Sequence, residues 1–137
     1  MTRYIAVVDG EPGAFGISFP DAPGCVAMDK TIDAVVVAGA EVLAEWMGDV
    51  LADGRLLPKA RSAEKIRRDD LEVAELLSAG AVLVSVPLIM DTGRAARANI
   101  SIDAGLLAAI DEAAQRNGVT RSAFLASAAR EKIKARA

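Results

Sequence analysis

Between Arg97 and Asp111 the chain reads RANISIDAGLLAAID, an alternating stretch that turns helical within a few residues. Ala98, Ile100 and Ile102 fall on one side and Arg97, Asn99 and Ser101 on the other, as the two-residue period of a strand requires. Asp103 can cap a helix carrying Leu106, Leu107, Ile110 and Ala114, and Asn117-Gly118 can end it with a left-handed residue. Thr120 can cap a second helix, with Phe124, Leu125, Ala128, Ala129 and Ile133 at helical spacing. One strand and two helices, about forty residues in all, bury too little apolar surface to be stable alone. The strand also has no neighbour in sequence to take its hydrogen bonds, and an apolar unpaired edge invites aggregation.

Pairing with the same strand of a second copy answers both problems. A two-fold axis gives an antiparallel ribbon, with Ile100, Ile102, Leu106, Ile110, Phe124 and Leu125 as the dimer core. The opposite face then carries two copies of Arg97, Asn99 and Ser101, on a ribbon that fits a DNA major groove. Arg97 can make paired hydrogen bonds to guanine and Asn99 to adenine, while Ser101 is permissive. Behind the Thr120 cap, the amides of Arg121 and Ser122 offer a phosphate site, reinforced by the Arg121 charge. Taken singly, these residues are equally the wet face of a strand and an ordinary helix cap.

Taken together, the strand, the Asp-x-x-Leu-Leu-x-x-Ile-Asp start of the first helix and the Gly-Val-Thr-Arg-Ser-Ala-Phe-Leu start of the second resemble the ribbon-helix-helix family, over about Ala96 to Arg136. That resemblance implies base reading by Arg97, Asn99 and Ser101, and phosphate contacts by Thr120, Arg121 and Ser122. The implied assembly is a homodimer, or a tetramer in which two ribbons bind adjacent half-sites.

The rest of the chain differs in charge. Residues 1–90 hold 8 Lys/Arg against 14 Asp/Glu, net −6, while residues 91–137 hold 8 against 5, net +3, so the halves favour different partners. RYIAVVD, GAFGISF and GCVAMD read as three strands separated by the turn residues EPG and DAPG. Thr31 starts a helix in which Val35, Ala38, Val42, Leu43, Trp46, Val50 and Leu51 recur until Asp53-Gly54, and this helix is expected to cover one face of the sheet. Residues 55–80 suggest one or two short surface helices. AVLVSVPLIM is a further strand, with Pro87 marking an edge or an end. The expected organisation is α+β: a β-β-β-α-β domain over residues 1–90, a small polar linker over 91–96 and the DNA-binding and dimerisation module over 97–137.

Within FPDAPGCVAMDKTIDAV, residues Phe19, Pro20, Asp21, Pro23, Gly24, Cys25, Thr31 and Ala34 resemble the signature of the HicB antitoxin family, over about Tyr4 to Met90. The resemblance implies a degenerate ribonuclease-H-like domain that binds and blocks a small HicA-type toxin, an mRNA-cleaving ribonuclease. In that family a C-terminal module often represses its own operon by binding operator double-stranded DNA. The family usually carries Gly-Asp before the threonine, where this chain has Asp29-Lys30.

Other chemistries find little purchase. The absence of histidine removes the commonest general base and, with Cys25 as the single cysteine, most zinc sites, so neither a metal nor a cofactor is expected. Ribonuclease-H folds use clustered carboxylates to hold metal ions, and Asp9 ends the first strand where such a carboxylate can sit, but Asp21, Asp29 and Asp33 fall in loops or a helix cap with no partner pattern, and no enzymatic activity is expected. Glu41 and Glu45 interrupt the longest apolar run, so no membrane span is expected and the cytoplasm is the expected location. The competing reading is a stand-alone ribbon-helix-helix transcription regulator whose N-terminal domain binds a ligand or another protein.

Overall fold

The computed structural model describes residues 1–91 and 93–135. Thr92 of the expected linker, and Arg136 and Ala137 at the end of the expected module, lie outside the described residues. The chain forms two compact units, one built mainly from Met1–Met90 and the other from Asp91–Ile133.

The first unit is a four-stranded antiparallel sheet with helices. Strands β1 (Arg3–Glu11), β2 (Ala14–Ser18), β3 (Val26–Asp29) and β4 (Val82–Pro87) lie in the order β3-β2-β1-β4. The β1–β2 hairpin turns through Pro12-Gly13, with Glu11 opposite Ala14. The run Tyr4-Ile5-Ala6-Val7-Val8 is continuously apolar because β1 is central and packs on both faces: Tyr4, Ala6 and Val8 on one side, Ile5 and Val7 on the other. Pro87 is both at an edge and at an end, closing β4 opposite Arg3 where its missing N–H costs no interior ladder bond.

Helix α1 (Ile32–Ala52) begins at Thr31, whose hydroxyl accepts from the Ala34 N–H at 3.1 Å. Its Val35, Ala40, Leu43 and Met47 are buried against Tyr4, Ala6, Val8, Ile17 and Val86 in the larger core. A Cβ on Gly39 would stand 2.6 Å from the Ile17 Cδ1, so the bare glycine is what lets this helix approach the sheet so closely.

The segment expected to hold surface helices has a larger part. Helices α2 (Ala63–Asp69) and α3 (Leu71–Ser78) bury Ile66 and Val73 against Val7, with Ile5, Leu76, Leu77 and Leu83 packed around them. The sheet is therefore covered in part on its second face as well. Each helix has one buried anchor, too few for a periodic pattern. Asp70 separates them, ending α2 and capping α3 through the Val73 N–H at 3.1 Å.

The second unit contains α4 (Ala104–Arg116) and α5 (Arg121–Ala135). Asp103 accepts from the Gly105 and Leu106 amides at 2.9 and 3.2 Å, and Thr120 accepts from the Ala123 amide at 3.1 Å. At the end of α4, Gly118 takes φ +67°, so its own N–H reaches the Gln115 carbonyl and the Val119 N–H reaches that of Ala114. This is a Schellman stop, and it needs a left-handed residue at that position. Contrary to the expected strand, residues 97–102 form none in the single chain, because among the described residues of the second unit there is no other strand for that segment to pair with.

Candidate functional site

In the first unit the loop after β2 is a set of local turns with three side chains turned inward. Phe19, Ala22 and Cys25 are buried, and the Ala22 and Cys25 amides donate to the carbonyls of Phe19 and Ala22, each at 3.0 Å. Burial pushes the Cys25 thiol up to about 11, which keeps it protonated and unreactive at neutral pH.

Asp21 has a partner forty residues away. Its carboxylate accepts from the Arg61 Nε at 2.6 Å and from the Arg61 backbone N–H at 2.8 Å, with the Asp21 side chain only 6% exposed. Nearby, the Tyr4 hydroxyl donates to the Pro58 carbonyl at 2.6 Å. Burial, and then the Asp21 charge, raise the Tyr4 phenol above its ordinary value. These bonds pin the segment from Pro58 to Arg61 against β1 and the loop. Asp21 is thus a clamp, and among the described residues no three His, Cys, Asp or Glu side chains gather as a metal site would require.

A cleft of about 340 Å³ opens beside this loop, between Ser18, Pro20 and Pro23 on one side and Glu72, Val73 and Leu76 of α3 on the other.

In the second unit Arg97, Asn99, Ser101, Thr120, Arg121 and Ser122 are all exposed. A second cleft, of about 350 Å³, brings together Ile100, Ser101, Ile102, Leu107, Arg121 and Leu125. Phe124 lines a different hollow, with Asn117 and Val119. The Thr120 cap occupies the Ala123 amide, while the Arg121 and Ser122 amides find no acceptor among the described residues. The Arg121 guanidinium is engaged: its Nε and one terminal nitrogen donate to the two Asp111 oxygens, both at 2.7 Å. Those hydrogen bonds hold the Asp111 carboxyl below the usual carboxylate range.

Three of the large apolar residues of this unit, Ile100, Leu106 and Val119, are exposed in one chain, and Ile102, Leu107, Phe124, Leu125 and Ile133 are half-buried. Ile110 and Ala114 are buried, but Ile100 is 65% and Leu106 55% exposed, and α5 buries no side chain.

The sequence model of the HicB-like antitoxins of bacterial toxin-antitoxin systems matches residues 4–129, which takes in most of both units. The chain belongs to this family. Among HicB structures, the crystal structure of the Burkholderia pseudomallei antitoxin HicB is similar with a TM-score of 0.56 and 27% identity, covering 97% of this chain and 99% of that one. The crystal structure of antitoxin HicB3 is similar with a TM-score of 0.54 and 28% identity, over 96% and 98%. A chain of the HicA3 and HicB3 toxin-antitoxin complex matches at 22% identity with a TM-score of 0.52, over 66% of this chain and 99% of that one, a likeness of fold. No curated protein sequence matches the chain.

The parts played by Arg61, Glu72 and the Asp111 partner of Arg121 are not among those the sequence predicts. Only the Asp111 contact had a readable signal, an acid near the end of one helix face followed by a base at the start of the next. No helix among the described residues is long and apolar enough to cross a membrane.

Proposed function

We propose that this HicB-like antitoxin binds and neutralises a HicA-type mRNA-cleaving toxin through its N-terminal unit, read as a degenerate ribonuclease-H-like domain without catalytic activity. In the same reading, a ribbon-helix-helix module over residues 97–137 dimerises, binds operator DNA and represses its own operon.

The observation that carries the first part is the family match across residues 4–129, an antitoxin model spanning nearly the whole chain. The HicA3 and HicB3 complex supplies the precedent for a toxin partner. The net −6 of residues 1–90 suits a basic RNA-cleaving partner, because complementary charge speeds and orients association.

The second part is supported by the net +3 of residues 91–137 and by the uncovered Ile100 and Leu106. A second copy would cover those side chains and give the 97–102 segment a strand to pair with. The ribbon would then present Arg97, Asn99 and Ser101 to base edges, while Thr120, Arg121 and Ser122 meet phosphate.

Co-expression with the product of the adjacent reading frame tests the assignment. The two should co-purify, and the toxin's cleavage of RNA should be blocked by this chain. Free association without inhibition, or no association at all, removes the antitoxin reading and leaves a DNA-binding regulator as its replacement.

A further inference from the structure

The second face of the N-terminal sheet is only half covered. Helices α2 and α3 pack where Val7, Ile66 and Val73 meet, over the β1 side of the sheet. The register carries that same face outward across β2 and β3. Val7, Ser18 and Val26 stand in one row and Asp9, Gly16 and Met28 in the next, because directly paired residues of antiparallel strands point to the same side.

At the end of these rows the surface is apolar and open: Val26 is 60% and Met28 72% exposed. Gly16 leaves a gap in its row, and the Asp9 Oδ1 stands 3.1 Å from where a Gly16 Cβ would be, so this carboxylate leans across the gap in the direction of Met28. On the inner side, Val7 and Ser18 floor the 340 Å³ cleft whose wall includes Glu72. Among the described residues neither Asp9 nor Glu72 has a Lys or Arg within ion-pair distance. An apolar edge strand beside unneutralised carboxylates is an unusual surface to leave in water.

We propose that this half-face is where the toxin docks, as a cationic protein segment that sets an apolar side chain on Val26 and Met28 and places Lys or Arg against Asp9 and Glu72. The inference rests on the antitoxin reading above. Charge selects the occupant: nucleic acid would be repelled by these carboxylates. A second copy of this chain would bring the same carboxylates face to face, at a cost in like-charge contact.

The test measures affinity for the co-purified toxin by titration calorimetry, using the full chain and three full-length variants. Met28→Glu and Asp9→Lys should each weaken binding by about tenfold or more, as central contacts of an interface do, with unchanged circular dichroism and melting temperature. Glu45→Lys makes the same charge change as Asp9→Lys, but on α1 at the other face of the sheet, and should leave affinity as it was. If the unmodified chain binds toxin and Met28→Glu and Asp9→Lys bind equally tightly, the docking surface is wrong while the antitoxin reading stands. If the unmodified chain does not bind, that reading fails and takes the surface with it. A Met28→Glu chain that keeps its toxin affinity but sediments as a smaller oligomer would make the face a contact between copies, and would overturn the proposal.

Discussion

Arg61 grips Asp21 from two directions, its backbone N–H donating to one carboxylate oxygen and its side-chain Nε to the other. One contact fixes where the chain passes and the other fixes where the guanidinium points, so the pair locks the segment after α1 to the loop after β2. Asp70 stands 3.9 Å from the same guanidinium and extends the link to the start of α3.

Replacing Asp21 with Ala should therefore do more than remove a surface charge. Two donors of Arg61 lose their acceptor at a site that is only partly wet, at a cost of about 2 to 4 kcal/mol. Chemical denaturation of the full chain measures this, and a change inside about 0.5 kcal/mol, the range of a neutral surface substitution, would remove the clamp.

Cys25 gives a prediction with a definite sign. Its thiol is raised from 9.0 to about 11 by burial, so folding favours the protonated form. That contribution is complete below the unfolded value and is lost as pH rises through the folded one. Stability should fall between pH 9.0 and about 11. Alkylation by iodoacetamide at about pH 8 should be slow in the native chain and fast in denaturant, since the thiolate is the reacting form. Equal rates in both conditions would contradict the buried thiol.

Asp111 competes for the cation that the proposed function gives to phosphate. Asp111→Asn should free Arg121, raise operator affinity several-fold and steepen the dependence of log affinity on log salt by about 1 per chain. Fluorescence anisotropy across a salt series reads both quantities. An unchanged slope would mean that Arg121 stays with its helix neighbour and takes no part in DNA binding.

Arg97→Ala addresses base reading. Losing a paired contact to guanine should cost about 1 to 3 kcal/mol on the operator and relax preference at one base position. Uniform weakening on every sequence would reassign Arg97 to the phosphate backbone.

What the sequence revealed was local. Thr31, Asp103 and Thr120 announce helix starts, and Asn117-Gly118 announces a stop, because each cap is completed within a few residues of itself. Asp21 gave no hint of Arg61, since nothing in either residue's neighbourhood records a partner forty positions away. The burial of Ile66 and Val73 within two short, mostly exposed helices is illegible for a related reason. A helix of seven or eight residues with one buried side chain has no period to detect, and its burial is decided by the sheet it meets. The candidate interfaces divide in the same way. The residues proposed to read DNA form a compact stretch, whereas Asp9, Met28 and Glu72 are brought to one surface by strand register and helix packing.

The contact between Gly39 and Ile17 makes two distant positions share a single volume. A methyl gained at Gly39 would meet the Ile17 Cδ1 at 2.6 Å, so the isoleucine has to turn or shorten to admit it. The two sites are therefore tied: a larger residue on α1 favours a smaller or turned one on β2, and relatives with more bulk at the first position are expected to carry less at the second.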